Sequence, residues 1–262
     1  MPRTVAATRY LTPLREGGSL PGIVEGDDDG TYVLKFRGAG QGPLALVAEW
    51  VAGEIGRLLG LRIPELVLME VAGELGRNEP DYEIRSLIMA STGINLGMDY
   101  LPGSIAFDPA TRPHVDSREA SAGVWFDSFV TNVDRTARNT NLLWWHRKLY
   151  WIDHGASLYF HHNWPDPASG EADEKAETAF PAIRNHVLLP WATEIAAVDR
   201  ELRGRLDAGA FERILAGVPD SWLDSADPAA AQERKRGYVR YLTRRLQSAS
   251  FTEEALRARA VL

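Results

Sequence analysis

Short apolar stretches separated by turn-forming residues characterise the first hundred residues of the chain. β-Branched and aromatic side chains within these stretches favour strands. Strands are predicted at residues 4–10, 20–25, 31–36, 65–71 and 94–103. The glycine and aspartate residues of 26–30 are typical of a hairpin loop between the second and third strands. This part of the chain is therefore predicted to be rich in strands.

A helical pattern interrupts these strands at residues 43–59. Its apolar side chains recur at helical spacing, which places them along one face of a helix. Pro43 suits the first helical turn, and Gly60 suits the position where the helix stops. A second helix is predicted at 79–92.

The second part of the chain shows mainly helical periodicity. Turn signals without any clear period at 104–115 separate it from the first part. Ser117 is the predicted N-cap of the first helix, and the polar segment 161–180 is predicted to be a loop. Helices are predicted at residues 117–131, 185–202, 208–218 and 227–247. Strands followed by helices predict an α+β fold.

Composition narrows the class of protein. The 262 residues suit one large domain or two lobes. The net charge of −7 disfavours nonspecific nucleic-acid binding, which requires a basic surface. The absence of cysteine excludes disulfides, thiolate nucleophiles and zinc–sulfur sites. Because neither a signal peptide nor a membrane-spanning apolar run is recognisable, we expect a soluble cytoplasmic protein without nucleic-acid or membrane partners.

Candidate chemistry is concentrated around a predicted hairpin at residues 141–152. Two strand-favouring pieces, NLLWW and KLYWI, flank a potential turn. Asp134 and Asn139 precede this hairpin and Asp153 follows it, so their side chains are expected to converge at the open end of the hairpin, which we call its mouth. Oxygen ligands of this kind suit Mg²⁺, which also binds the phosphates of a nucleotide.

The same residues resemble the catalytic core of the protein-kinase-like superfamily. In that pattern an aspartate and an asparagine of the catalytic loop are followed by a metal-binding aspartate before glycine. Here Asp134 and Asn139 are followed by Ile152-Asp153-His154-Gly155. No His-Arg-Asp precedes the loop, and His154 occupies the position of the usual phenylalanine. This form of the motif is closer to that of HipA-like kinases and of phosphoinositide kinases.

The first part of the chain extends this resemblance. Lys35 lies in a predicted strand, and Glu49 lies fourteen residues later in the next predicted helix. Kinases use such a lysine–glutamate pair to hold the α- and β-phosphates of ATP. Together with NHVLLP and VPDSWL, the stretch YVLKFRGAGQGPLALVAEWVAGEIGRLLGL closely resembles a HipA-like kinase domain, over residues from about 8 to 225.

The resemblance implies a bilobal kinase fold, with an N-lobe at 1–104 and a C-lobe at 105–262, and ATP and Mg²⁺ as cofactors. Asp134 would be the catalytic aspartate, and Asn139 and Asp153 would bind the metal, with Asn141 as the alternative to Asn139. The remaining residues would contact ATP through its phosphates or its adenine: Lys35, Glu49, Gly17, Gly18, Ser19, Asp99, Tyr100 and Leu101. The implied activity is transfer of phosphate to a Ser or Thr hydroxyl of a protein, or else to a small alcohol. A pseudokinase without turnover is the rival interpretation.

Simpler interpretations exist for each of these residues taken alone. Lys35 suits a solvated strand edge, Glu49 an exposed helix face, and Asp134 with Arg135 a local ion pair. Asp153 is harder to explain in this way, because a carboxylate in an apolar strand requires a partner. His154, His161 and His162 lack a carboxylate at ligand spacing, so no transition-metal site is predicted. The basic segment 234–247 suits a solvated helix face, or docking to an acidic partner.

Overall fold

The computed structural model describes residues 2–14, 20–77, 79–111, 114–164, 171–223 and 227–262. Its elements are of both kinds, with strands concentrated in the first hundred residues and helices in the remainder. The predicted α+β class is therefore confirmed.

Five strands in the first part of the chain close into a barrel with the order β1-β2-β3-β5-β4. The strands are β1 (Thr4–Pro13), β2 (Gly22–Gly26), β3 (Thr31–Lys35), β4 (Leu66–Val71) and β5 (Gly93–Asp99). Neighbours pair antiparallel except β1 and β4, which are parallel and close the barrel. All five predicted strands are present. The last one ends at Asp99, because Pro102 and Gly103 follow in a turn.

Two helices accompany the barrel, α1 (Pro43–Leu58) and α2 (Tyr82–Ala90). Pro43 occupies the first turn of α1, as predicted. Gly60, just beyond α1, has φ +87°, a left-handed conformation that side chains disfavour. The apolar face of α1 is buried, so this helix packs firmly against the rest of the molecule. The second helix is shorter than predicted, because Asp81 caps it by accepting a hydrogen bond from the Glu83 N–H.

Helix α3 (Ser117–Val130) opens the second part of the chain. The predicted cap was wrong by one residue, because the Asp116 side chain accepts a hydrogen bond from the Glu119 N–H. Ser117 instead donates its hydroxyl hydrogen bond to Glu194. Buried residues occupy every face of α3, so this helix lies inside the core.

The predicted hairpin forms from β7 (Leu142–Trp145) and β8 (Lys148–Trp151), and β6 (Ile105–Ala106) extends it to a sheet of three strands. Its turn consists of His146 and Arg147, both with positive φ, as a two-residue hairpin turn requires. The ends of this hairpin therefore lie next to each other. The Ile152 N–H donates a hydrogen bond of 3.1 Å to the Asn141 carbonyl.

The remaining described helices are α4 (Glu171–Ala176), α5 (Ile195–Gly204), α6 (Ala208–Ala216), α7 (Pro228–Gln247) and α8 (Ser250–Ala260). Of these, α5 and α8 pack against α3, α6 packs against α1 and α7, and α4 packs against α7. The loop prediction for 161–180 was wrong in part, because α4 lies within this segment and a short 3₁₀ helix, Tyr159–Asn163, extends into it. The helix predicted from residue 185 begins only at Ile195, since Pro190 lies within a 3₁₀ turn that precedes it. Helix α8 was not predicted.

Two apolar clusters hold the fold together. One fills the barrel and includes Val24, Leu34 and Met69. The larger cluster joins α1 to α3 and the later helices, and includes Val51 and Phe126. No helix among the described residues combines the length and the apolar character that crossing a bilayer requires.

Candidate active site

Lys35 is the last residue of β3, and its ammonium group lies between two carboxylates. Nζ is 2.6 Å from Oε2 of Glu49 in α1 and 2.7 Å from Oδ1 of Asp153, which follows β8. Glu49 is fully buried, whereas the side chain of Asp153 is 49% exposed. The predicted pairing of Lys35 with Glu49 is present, and neither residue has the exposed position of the simpler interpretation. The link from Lys35 to Asp153 was not foreseen.

The two carboxylates determine the charge state of the lysine. Burial acts to lower the pKa of Lys35, but Asp153 and Glu49 outweigh burial and raise it above its usual range. Lys35 in turn lowers the pKa of Asp153. Glu49 Oε2 also accepts a hydrogen bond of 2.8 Å from the His154 N–H, which fixes the backbone directly after Asp153. Lys35 is therefore a firmly held cation at the mouth of the hairpin.

Asp134 lies in the loop after α3, and two amide groups hold it. Its Oδ2 is 2.6 Å from Nδ2 of Asn139 and 3.4 Å from Nδ2 of Asn141. Its backbone N–H donates a hydrogen bond of 3.1 Å to Oδ1 of Asn132. Burial raises the pKa of Asp134, and the nearby negative charge of Asp153 raises it further. The hairpin therefore brings Asp134, Asn139 and Asp153 together, as the sequence predicted.

The oxygens at this mouth have the chemical character that Mg²⁺ requires. Lys35 donates a hydrogen bond to Oδ1 of Asp153, so Oδ2 of Asp153 remains available within the described residues. Asn139 donates to Asp134 through Nδ2, and its Oδ1 has no hydrogen-bond partner among the residues described. Within the same residues, no three His, Cys, Asp or Glu side chains form a metal-binding group. One carboxylate with one amide oxygen fits a cation that nucleotide phosphates help to bind.

Of the three histidines considered from sequence, His161 and His162 contact each other with ring centroids 4.5 Å apart, but no metal-binding group forms among the described residues. His154 is fully buried against the edge of Phe126, and burial lowers its pKa to about 3. His161 is bonded through Nδ1 to the hydroxyl of Tyr238 at 2.8 Å. Burial lowers the pKa of His161 to about 3 as well. Both rings are therefore uncharged near neutral pH.

A buried ion pair directly behind the site was not foreseen. Arg135 forms an ion pair with Asp127 of α3, with Nε 2.5 Å from Oδ2, and both side chains are fully buried. The local ion pair considered for Asp134 and Arg135 is therefore wrong, because Arg135 points into the core. His186 also donates to Asp127 Oδ2, with a distance of 2.8 Å. A signal was available in VWFDSFV, where Asp127 is a lone carboxylate in an apolar run.

The predicted adenine-binding residues Asp99, Tyr100 and Leu101 lie at the end of β5 and directly after it. The Asp99 N–H donates to the Glu65 carbonyl at 2.8 Å, and the Tyr100 N–H donates to the Thr31 carbonyl at 3.0 Å. Leu101 is the one of the three whose N–H has no partner in the described part of the chain. The predicted phosphate-binding residues Gly17, Gly18 and Ser19 lie outside the described residues.

Comparisons with known proteins indicate the family and the fold of this chain. The model of a family described as HipA-like kinase matches residues 8–255. A Helicobacter pylori proinflammatory kinase, CtkA, has a similar structure, with a TM-score of 0.57 and 13% identity, covering 100% of this chain and 99% of CtkA. The Golgi casein kinase, solved with Mn and ADP bound, matches with a TM-score of 0.52 and 12% identity, covering 98% of this chain and 74% of that one. A search of curated proteins gave no significant match.

Proposed function

Because the chain belongs to the HipA-like kinase family, we propose that it transfers the terminal phosphoryl group of ATP to a hydroxyl group, with Mg²⁺ as the metal. The observation that carries this proposal is the position of Lys35 between Glu49 and Asp153, at 2.6 and 2.7 Å. Kinases use this lysine–glutamate pair for the phosphates and this aspartate for the metal. The kinase fold of both structural neighbours supports the same assignment.

The proposed architecture is bilobal. Residues 1–104, with the barrel, α1 and α2, would form the N-lobe, and residues 105–262, with α3 and the later helices, would form the C-lobe. Lys35 and Glu49 then belong to one lobe and Asp134, Asn139 and Asp153 to the other. ATP would bind between them.

Each residue has a distinct role in this proposal. Lys35 would bind the α- and β-phosphates and Glu49 would hold its ammonium group in place. Asn139 and Asp153 would hold Mg²⁺, which when bound neutralises charge on the phosphates. Asp134 would accept a hydrogen bond from the attacking hydroxyl and take its proton, and its raised pKa favours this. Catalysis would rest on positioning and electrostatics.

The nucleotide base and the phosphate loop complete the proposed site. Adenine would pair with the backbone near Asp99, Tyr100 and Leu101, and the Leu101 N–H, which has no partner among the described residues, would be the donor. Gly17, Gly18 and Ser19 stay the predicted phosphate loop. These residues separate β1 from β2, which are neighbours in the barrel.

We propose a Ser or Thr hydroxyl of a protein as the acceptor, with a small alcohol as the second choice. The name of the Golgi casein kinase indicates a protein substrate for that enzyme, which supports the first choice here. A cytoplasmic location stays a prediction. The pseudokinase interpretation is not favoured, because Lys35, Glu49, Asp134, Asn139 and Asp153 are all present and assembled.

Phosphate transfer from labelled ATP tests the proposal directly. The purified protein should show Mg²⁺-dependent transfer or turnover of ATP, and Asp134→Ala should lower it by roughly 100-fold or more, the scale of a general base. Glu212→Ala, which removes an exposed carboxylate of α6, is the control and should keep full activity. Comparing phosphorylated proteins in cells that express wild type and Asp134→Ala would identify the acceptor. Nucleotide binding without any turnover would instead identify a pseudokinase.

A further inference from the structure

Arg135 connects the separate parts of the proposed active site through one buried side chain. Nη1 donates to the Ile152 carbonyl at 3.1 Å and also to the Asn141 carbonyl. Nη2 lies 3.1 Å from Nδ1 of His154. Because a guanidinium can only donate, Nδ1 of His154 must be the acceptor. Four of the five N–H groups of Arg135 are thereby engaged once the bond from Nε to Asp127 is included.

The positions of these acceptors along the chain are informative. Asn141 lies just before β7, two residues after the proposed metal ligand Asn139. Ile152 and His154 are the residues immediately before and after Asp153. Arg135 itself directly follows Asp134. A single planar group on the residue after Asp134 therefore bonds the backbone directly before Asp153 and two residues after Asn139.

The guanidinium is itself held by the core. Asp127 lies in α3 and is fully buried, and it accepts hydrogen bonds from Arg135, His186 and Asn132. The carbonyl of Arg135 accepts a bond of 3.1 Å from the Val187 N–H. Arg135 thus bonds the mouth of the hairpin to the buried helix α3.

We propose that Arg135 is a positioning residue, which sets the spacing of Asn139 and Asp153 and thereby the affinity of the site for Mg²⁺. This inference rests on the proposed function. Residues that orient metal ligands typically contribute 10–100-fold to metal affinity, roughly the effect expected here. Mg²⁺ is sensitive to such spacing because it requires nearly ideal octahedral geometry.

Lysine cannot replace arginine in this role. A guanidinium presents five donors in a fixed plane, whereas an ammonium group on a flexible chain presents three around one atom. Arg135→Lys would keep a positive charge beside Asp127. It would lose the simultaneous bonds to Asn141, Ile152 and His154.

A second buried arginine provides a matched control. Arg245 of α7 is fully buried and donates to the carbonyls of Ser128, Phe129, Ala176 and Thr178. It therefore resembles Arg135 in burial and in the number of groups that it connects. None of its acceptors adjoins Asp134, Asn139 or Asp153. Arg245→Lys reports the general cost of losing a buried guanidinium.

The experiment measures binding of a non-hydrolysable ATP analogue by calorimetry over a range of Mg²⁺ concentrations. Arg135→Lys should raise the Mg²⁺ concentration at half-saturation by about 10–100-fold. Its affinity for the analogue without Mg²⁺ should match that of wild type. Arg245→Lys should keep the wild-type Mg²⁺ dependence, even if its melting temperature falls by as much as that of Arg135→Lys.

Each outcome decides a different question. An unchanged Mg²⁺ dependence in Arg135→Lys, or an equal shift in Arg245→Lys, would overturn the positioning role and leave the proposed function intact. Failure of the wild-type protein to bind the analogue with Mg²⁺ would overturn both. If Arg135→Lys does not fold, His154→Phe replaces it, since this variant keeps a ring beside Phe126 but removes one acceptor of Arg135. A higher Mg²⁺ requirement in His154→Phe supports the inference, and an unchanged one overturns it.

Discussion

Asp153 lies 118 residues beyond Lys35 in the chain, yet Oδ1 of Asp153 is 2.7 Å from the Lys35 ammonium group. The same nitrogen contacts Glu49, so one cation joins the barrel, helix α1 and the end of the hairpin. The structure therefore links the two halves of the predicted site through a shared charge.

Lys35→Met should destabilise the protein, because it leaves Glu49 as an uncompensated buried charge. Breaking a buried ion pair on one side typically costs about 3–5 kcal/mol of unfolding free energy. The double variant Lys35→Met with Glu49→Gln should recover much of that loss. Urea unfolding at neutral pH measures both variants. Equal stability of wild type and Lys35→Met would contradict the ion pair.

Asp153→Ala should abolish Mg²⁺-dependent binding of ATP while leaving the fold intact. From sequence alone, we would expect removal of a costly buried carboxylate to raise the melting temperature. The structure changes this expectation, because Asp153 is half-exposed and paired with Lys35. We now expect no gain in stability. Calorimetry gives the affinity, and Asp153→Asn, which keeps an acceptor for Lys35, is the control for packing.

Asn139→Ala should reduce phosphotransfer at saturating Mg²⁺ far more than Asn141→Ala does. Both amides contact Asp134, but Asn139 is at 2.6 Å and Asn141 at 3.4 Å. A loss of roughly 100-fold is expected, the scale seen when one preorganised polar group is removed from an active site. Nucleotide binding should survive in both variants while Asp153 remains.

The comparison needs one control, because Asn141 has φ +48°. Alanine adopts this conformation less readily than asparagine, so Asn141→Ala carries backbone strain of about 1 kcal/mol. Asn141→Gly removes the same side chain without that strain. Full activity of Asn139→Ala together with an inactive Asn141→Gly would reverse the assignment of the metal ligand.

Asp127→Asn should lower stability at neutral pH, and the difference from wild type should shrink as pH falls. Burial acts to raise the pKa of Asp127, but Arg135 and His186 outweigh it and hold the pKa well below the usual range. A carboxyl group whose pKa is depressed in the folded state stabilises the protein at any pH above its unfolded-state pKa of about 3.9. This stabilisation is lost as the pH falls below that value. Urea unfolding at pH 7, 5 and 3.5 measures the difference, expected to be about 3 kcal/mol at pH 7. A difference that is constant with pH would contradict the ionised pair.

The sequence predicted those parts of the site that are arranged locally. Lys35 and Glu49 lie on a strand and the helix after it, and the hairpin joins Asn139 to Asp153 by a short connection. These are patterns that spacing and strand propensity can reveal. The resemblance to HipA-like kinases then supplied their roles.

Tertiary contacts determined the parts that were missed. Arg135 and Asp127 pair because the loop after α3 folds back onto this buried helix, and periodicity does not show which loop residue a polar side chain of such a helix contacts. Helix α4 was missed because its polar sequence, EADEKA, follows turn-forming residues. The cap at Asp116 was missed because Asp116 and Ser117 are both good capping residues, and only backbone geometry distinguishes them.

Closure of the barrel through β1 and β4 also affects how another polypeptide can approach this protein. A strand with an unpaired edge offers backbone groups that a second chain can extend, in aggregation or in peptide capture. In the described barrel each strand has a neighbour on both sides. The outer edge of β8 is similarly covered, because the Arg62 backbone accepts from the Trp151 N–H and its side chain donates to the Leu149 carbonyl. An incoming peptide must therefore be selected at these places by the side chains it presents.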